Sequence, residues 1–143
     1  MQIDDLDEKM IRMLTENARM PISDLARVLG VARMTAQARL DRLIAQGAIA
    51  GFTVRAGHKL RPPIRATALL TIEPRSGAAV LQRLKSLTTV ERVSTTSGRF
   101  DMLIDIYAST TEELDQTLDK IGEIKGVKGS ESLIHLSQKI DRT

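Results

Sequence analysis

Within residues 31–47, VARMTAQARLDRLIAQG, several side chains have the types and spacing to read double-stranded DNA. Arg33 and Gln37 are forked hydrogen-bonders. An arginine fits the O6/N7 edge of guanine and a glutamine fits the N6/N7 edge of adenine. Thr35 can meet a thymine methyl or a phosphate, and Arg39 and Arg42 are placed for phosphate oxygens. Met34 and Ala38 belong to the same candidate surface. For Arg39 a second reading stands beside the first: its stem packs on a neighbouring helix and its charge pairs with an acid.

A helix must position these groups. Ala36, Leu40, Leu43 and Ile44 fall at i, i+4, i+7 and i+8, the spacing of one buried helical face. At 100° per residue, Met34, Gln37, Ala38, Asp41 and Ala45 point away from that stripe, while Arg33, Thr35, Arg39 and Arg42 flank it. Two earlier segments can brace this helix. Residues 5–17 carry a stripe of Leu6, Met10, Ile11 and Leu14, with Asp4 as cap and Asp7 and Glu8 suited to the positive end of the helix dipole. The acids in this segment would be repelled by phosphate, so this end is expected to face away from DNA. Pro21 fits a first helical position, Leu25, Val28 and Leu29 supply an apolar face, and Gly30 supplies the left-handed residue that stops the helix. Short helices joined by a tight glycine turn, the last one basic, form a helix-turn-helix signature.

Charge placement agrees. Residues 1–65 hold 11 Lys/Arg and 7 Asp/Glu, a balance of +4, whereas residues 66–143 hold 10 and 11, a balance of −1. Between Arg27 and Arg65 Asp41 is the one acid among eight bases. A positive stretch coinciding with the candidate reading helix favours a nucleic-acid partner over a merely solvated face. There is no cysteine in the 143 residues, which excludes disulfides and cysteine zinc sites and fits a reducing, cytoplasmic compartment. The acidic start lacks an apolar signal core, and no apolar run approaches the roughly 18 residues of a membrane helix.

After Gly47, Ile49, Phe52 and Val54 alternate loosely and predict a short strand or two-stranded wing, closing a first domain at residues 1–56. Residues 57–64, GHKLRPPI, read as a linker stiffened by two prolines. From Arg65 to Thr143 the period changes. RATALLTIE reads as a strand ending at Pro74, and Ser76 caps a helix through Leu87 with Val80, Leu81, Leu84 and Leu87 inward. Val90–Ser97 is a second strand. After a turn at Gly98 comes a third, with Phe100, Met102, Ile104 and Ile106 on one face and Asp101, Leu103, Asp105 and Tyr107 on the other. Thr110 and Glu113 form a capping box over a helix that buries Leu114, Leu118 and Ile121. Val127–Ile140 is a last long strand. Strand, helix, strand, strand, helix, strand is the ferredoxin-like βαββαβ order, an antiparallel sheet with helices on one face. The fold class is therefore α+β, a winged helix-turn-helix domain followed by a ferredoxin-like one. The uncovered sheet face asks for a partner, most economically a second copy.

With IDDLDEKMIRML, RMPISDLARVLGV and ARLDRLIAQGAIAGF in the first half, and SGRFDMLIDIYA and IKGVKGSESLIHL in the second, the chain resembles the Lrp/AsnC (feast/famine) transcriptional regulators over nearly its whole length. The resemblance implies homodimers through the C-terminal sheets, often assembled into tetramers of dimers that wrap DNA. It also implies a small effector, an amino acid or a related molecule, bound between dimers. The family's effector loop falls on Gly98, Arg99 and Asp101, and the threonines often found on its last strand fall on Ser130 and Ser132. Asp101 could accept an effector's ammonium group and the serines could serve its carboxylate. Each also has a plain structural use: a turn at Gly98, a loop hydrogen bond at Asp101, strand surface at the serines. The chain departs from the family at Ala32, where a capping serine is usual, near Arg61, where a glycine is usual, and at the two serines.

Two other functions can be weighed. Sirohaem decarboxylases share this architecture and use histidine and arginine on a tetrapyrrole. Here only His58 and His135 are present. His58 lies in a Gly/Lys loop and is assigned no role, and His135 reads as a structural or interface residue. No nucleophile–base set, paired carboxylates, phosphate loop or metal cluster appears, so no enzyme activity, cofactor or metal is expected. A small-molecule-sensing assembly module without DNA binding is opened by the missing serine cap and opposed by the basic stretch.

Overall fold

The computed structural model describes residues 2–143, which divide into two compact units meeting between Arg55 and Ala56.

The first unit holds α1 (Asp5–Glu16), α2 (Ile22–Leu29) and α3 (Arg33–Ala45). Asp4 caps α1 in a reciprocal box with Asp7. Pro21 is the N-cap of α2, one residue outside the expected first helical position, because its extended ψ of 149° precedes the helix. Gly30, at φ 70°, ends α2, and the Val31 N–H reaches back to the Ala26 carbonyl at 3.0 Å. That closure is the tight turn of the motif, in a backbone region where a β-carbon is unfavourable. Met10, Leu14, Leu25, Ala26, Leu29, Ala36 and Leu43 form the core. Ile44, expected in the stripe, is 42% exposed, and Val28 is also exposed. Three short helices cover only a narrow arc of each other, so the outer edge of each apolar stripe stays in water.

The expected wing is not a strand: no residue from Gln46 to Pro63 is in strand conformation. Phe52 and Val54 lie exposed. A lone extended segment leaves its backbone groups unpaired, and the helical unit offers no sheet edge to satisfy them.

The second unit holds β1 (Ile64–Ile72), α4 (Gly77–Lys85), β2 (Val90–Thr95), β3 (Met102–Ala108), α5 (Thr111–Gly122) and β4 (Val127–Ile134). The strands pair antiparallel in the order β2-β3-β1-β4. This is the expected ferredoxin-like sheet. Ala66, Ala68 and Leu70 of β1 and Met102, Ile104 and Ile106 of β3 point to one face, where they pack with Val80, Leu84, Leu114 and Ile121. The alternate residues, Thr67, Leu69, Leu103, Asp105 and Tyr107, are only half-buried on the other face.

Three local expectations are corrected. The Ser76 backbone is already helical and its hydroxyl makes no capping bond, so α4 starts without a side-chain cap and ends at Lys85. The Thr110 hydroxyl accepts the Glu113 N–H at 3.1 Å, but the Glu113 carboxylate takes the N–H of Ser109 rather than that of the cap. The last strand stops at Ile134, not Ile140. Its partner β1 begins at Ile64, and the final rung is the His135 N–H to the Arg65 carbonyl at 2.9 Å. Beyond that point Ile64 pairs with β3, and the next position that could face β4 is Pro63, which has no N–H to give.

Candidate DNA-reading helix and effector loop

Helix α3 is anchored by Ala36 and Leu43, both fully buried. Opposite this anchor Met34 and Ala38 are exposed, Met34 at 85%, and on its flanks so are Arg33, Thr35 and Gln37. The first turn carries no acid, and Ala32 gives no side-chain cap. The leading backbone N–H groups therefore remain open to an acceptor from outside, and the positive end of the helix dipole is not neutralised locally. Gln37 donates its amide to the Asp41 carboxylate at 2.9 Å, one turn along. This contact holds Gln37 in one orientation and leaves its amide oxygen free to accept.

Arg39 and Arg42 are arranged differently. The Arg39 guanidinium donates to both Asp4 oxygens, at 2.8 and 2.7 Å, and to Asp7 at 3.1 Å. Arg42 donates to the other Asp7 oxygen at 2.5 Å. Asp7 has no exposed surface at all. The second reading of Arg39, pairing with an acid, is the arrangement observed, and Arg42 shares it. These acids do more than complement a dipole: they tie α1 to α3. A signal for this was present, since Asp7 lies in register with Met10 and Leu14 on the inward stripe of α1.

The network has a pH signature. The hydrogen bond from Arg39, followed by the Asp7 N–H, lowers the Asp4 carboxyl from the usual 3.8 to about 2. A carboxyl lowered on folding stabilises the fold above its unfolded value and loses that contribution as protons bind. Asp4 should therefore contribute fully above pH 3.8 and fade as pH falls toward 2. Melting midpoints of wild type and Asp4→Asn should stay a constant interval apart above that range and converge below it. An interval that persists unchanged at pH 2 would contradict this.

In the second unit, the loop 98–101 lies at one end of the sheet. Gly98 has φ 132°, a conformation that favours glycine. Asp101 is committed to the strand: its carboxylate accepts the Ile72 N–H at 2.8 Å and its own N–H donates to Leu70 at 2.7 Å. Arg99 reaches Glu131 on β4 at 3.6 Å, both side chains being exposed, and lies 5.5 Å over the Phe100 ring. Ser130 pairs with Leu70 and Ser132 with Ala68, so both serines share the helix-covered face, while Glu131 faces the other way. Strand β1 lies between Asp101 and Ser130, a gap of two strand spacings or about 10 Å. One chain does not bring the serines and Asp101 together around a small molecule.

His135 lies just past β4, its Nε2 2.8 Å from the Thr67 hydroxyl, and His58 sits in a turn. Among the described residues no group of three metal-binding side chains occurs, and no helix is long and apolar enough to cross a membrane.

Both units match family profiles: the AsnC-type helix-turn-helix domain over residues 3–44 and the Lrp/AsnC ligand binding domain over residues 65–143. The HTH-type transcriptional regulator FL11 of Pyrococcus furiosus is 30% identical over 135 residues, 94% of this chain and 89% of that one. The HTH-type transcriptional regulator LysM of Saccharolobus solfataricus is 31% identical over 94% of both chains. Among solved structures, E. coli AsnC superposes with a TM-score of 0.93 at 25% identity, covering 100% of this chain and 98% of its own. The feast or famine regulatory protein of M. tuberculosis, complexed with L-methionine, has the same fold, with a TM-score of 0.88 at 23% identity and coverage of 99% and 98%. With a family profile on each unit and relatives matched nearly end to end, the chain belongs to the Lrp/AsnC family of transcriptional regulators.

Proposed function

We propose that the protein regulates transcription as a homodimer or higher assembly whose α3 helices read sequence in the DNA major groove. The observation that carries this is the exposed row Arg33, Met34, Thr35, Gln37 and Ala38 on a helix whose opposite face is locked in the core. Arg33 and Gln37 read base edges, and Thr35 and the free N–H groups of the first turn meet phosphate. The half-buried sheet face bearing Leu69, Leu103 and Tyr107 is covered by a second copy, which presents two α3 helices to a pseudo-palindromic site. An amino acid or related effector binds at the Gly98–Asp101 loop and takes its remaining contacts from another protomer, a reading supported by the separation of Asp101 from Ser130 and Ser132 within one chain. The chemistry is binding alone, with no catalytic step.

An anisotropy titration on DNA from upstream of the protein's own gene, with non-specific competitor and with or without pooled amino acids, tests this. Competitor-resistant binding is expected, with an affinity that shifts when the pool is added. Arg33→Ala combined with Gln37→Ala should lower discrimination against competitor by about 1–3 kcal/mol per lost base contact. An upstream-to-competitor affinity ratio unchanged from wild type in that variant would refute the base-reading assignment.

A further inference from the structure

Asp7 is a fully buried carboxylate that base reading does not use. Its Oδ2 accepts the Asp4 N–H at 3.2 Å and the Arg42 guanidinium at 2.5 Å, and its Oδ1 accepts Arg39 at 3.1 Å. Asp4 closes the network by taking Arg39 on both oxygens. Two carboxylates thus stand against two guanidiniums, with no net charge left over. The arginine side chains are only partly exposed, 24% for Arg39 and 40% for Arg42. The geometry also concerns orientation. Arg39 and Arg42 are one turn apart on α3, and both reach the first turn of α1. Two attachments on one helix restrain its roll as well as its position, which a single contact does not.

We infer that Asp7 is a positioning residue for DNA reading: it sets the roll of α3 through Arg39 and Arg42, which act as braces rather than as phosphate contacts. This rests on α3 being the reading helix. A guanidinium already neutralised by a buried carboxylate releases no counterion when DNA arrives, so it adds nothing to the salt dependence of binding. A guanidinium that meets phosphate steepens that dependence by about 0.9 in the log–log slope. A helix that has lost its brace can still meet phosphate with Thr35 and its backbone N–H groups. It presents Arg33 and Gln37 at the wrong angle to the base edges, and discrimination suffers first.

The test uses the full chain. In the free protein, NMR of the arginine side chains should show the Arg39 and Arg42 guanidinium protons protected from exchange. They should stay in place when a mixed-sequence duplex is added, while those of Arg33 move. The two arginine variants Arg39→Gln and Arg42→Gln should keep the wild-type salt slope on that duplex; these and Asp7→Asn are each confirmed folded by circular dichroism at the assay temperature. Their preference for the upstream DNA should fall by about tenfold or more, the loss of at least one base contact. A role in stability alone would leave that preference unchanged in the folded protein. The inference is overturned if the slope flattens by about 0.9 per arginine removed, if preference is unchanged, or if DNA shifts the Arg39 and Arg42 signals. Where a variant does not fold, the wild-type signals decide between brace and phosphate contact. If the wild type binds neither duplex, the reading of α3 fails instead. The brace is then judged on the free protein alone, where rapid guanidinium exchange overturns it and protection upholds it.

Discussion

Leu43→Ala should abolish DNA binding at ordinary assay temperatures while leaving the antiparallel sheet intact. Leu43 is fully buried and packs among Met10, Leu14, Leu25, Leu29 and Ala36. Removing such a side chain costs about 2–5 kcal/mol, the lost transfer energy plus a cavity. A helical unit ending at Arg55 has about 3–5 kcal/mol in total to lose. The substitution therefore consumes most or all of the stability of the reading unit. The second unit has its own separate cluster around Leu70, Leu84, Ile104 and Ile106, to which Leu43 does not belong. Thermal unfolding followed by circular dichroism should show the helical signal of the first unit lost at low temperature, with the strand-rich transition unmoved. A single transition at the wild-type midpoint, with DNA binding retained, would show that the cavity costs far less than the burial implies.

Gly126→Ala should damage the second unit by a comparable amount, for two separable reasons. Gly126 joins α5 to β4 at φ 105°, where a side chain is strained, and its carbonyl accepts the Glu73 N–H at 2.7 Å. A β-carbon there would lie 2.6 Å from the Ser76 β-carbon and 3.2 Å from a Val80 methyl. The conformational part costs about 1–2 kcal/mol and the overlap about 1–3 kcal/mol, because a β-carbon cannot rotate out of the way as the end of a flexible side chain can. The two parts come apart in a double-mutant cycle. Ser76→Gly in the Gly126→Ala background should restore the steric part and leave the conformational one. Denaturant melts give the coupling. Strict additivity would mean that Ser76 is not what Gly126 makes room for.

The periodic parts of the fold were readable from single residues, because periodicity is a local property. The alternation from Phe100 to Tyr107 assigned the β3 faces, and the placement of Gly30 assigned the turn before α3. What escaped depended on a partner. Val127 to Ile140 looks strand-like throughout, yet it ends where β1 runs out of N–H groups. Phe52 and Val54 alternate like a wing, but the all-helical unit they follow has no edge strand for them to join. At the reading helix the exposed row was visible in the letters, whereas the fate of Arg39 and Arg42 was not. Charge counting treats every arginine in a basic stretch alike. Only the packing of α1 on α3 brings Asp7 beneath two of them. At the candidate effector loop, the spacing of Gly98 and Asp101 located the turn, but register decided that Ser130 and Ser132 face away from Glu131.

The hydrogen bond from Ile72 to Asp101 bears on the concentration at which such a regulator would respond. The Ile72 N–H takes only Oδ2 of Asp101, and a carboxylate has lone pairs for several donors, so on the proposed reading an ammonium group would join this bond rather than displace it. The acceptor is then already oriented by the protein's own backbone, and the ordering cost of about 0.5–1.5 kcal/mol that a free side chain pays on binding is largely spared. Substitutions at the end of β1 that loosen this bond would raise the effector concentration needed without touching any group that contacts the effector.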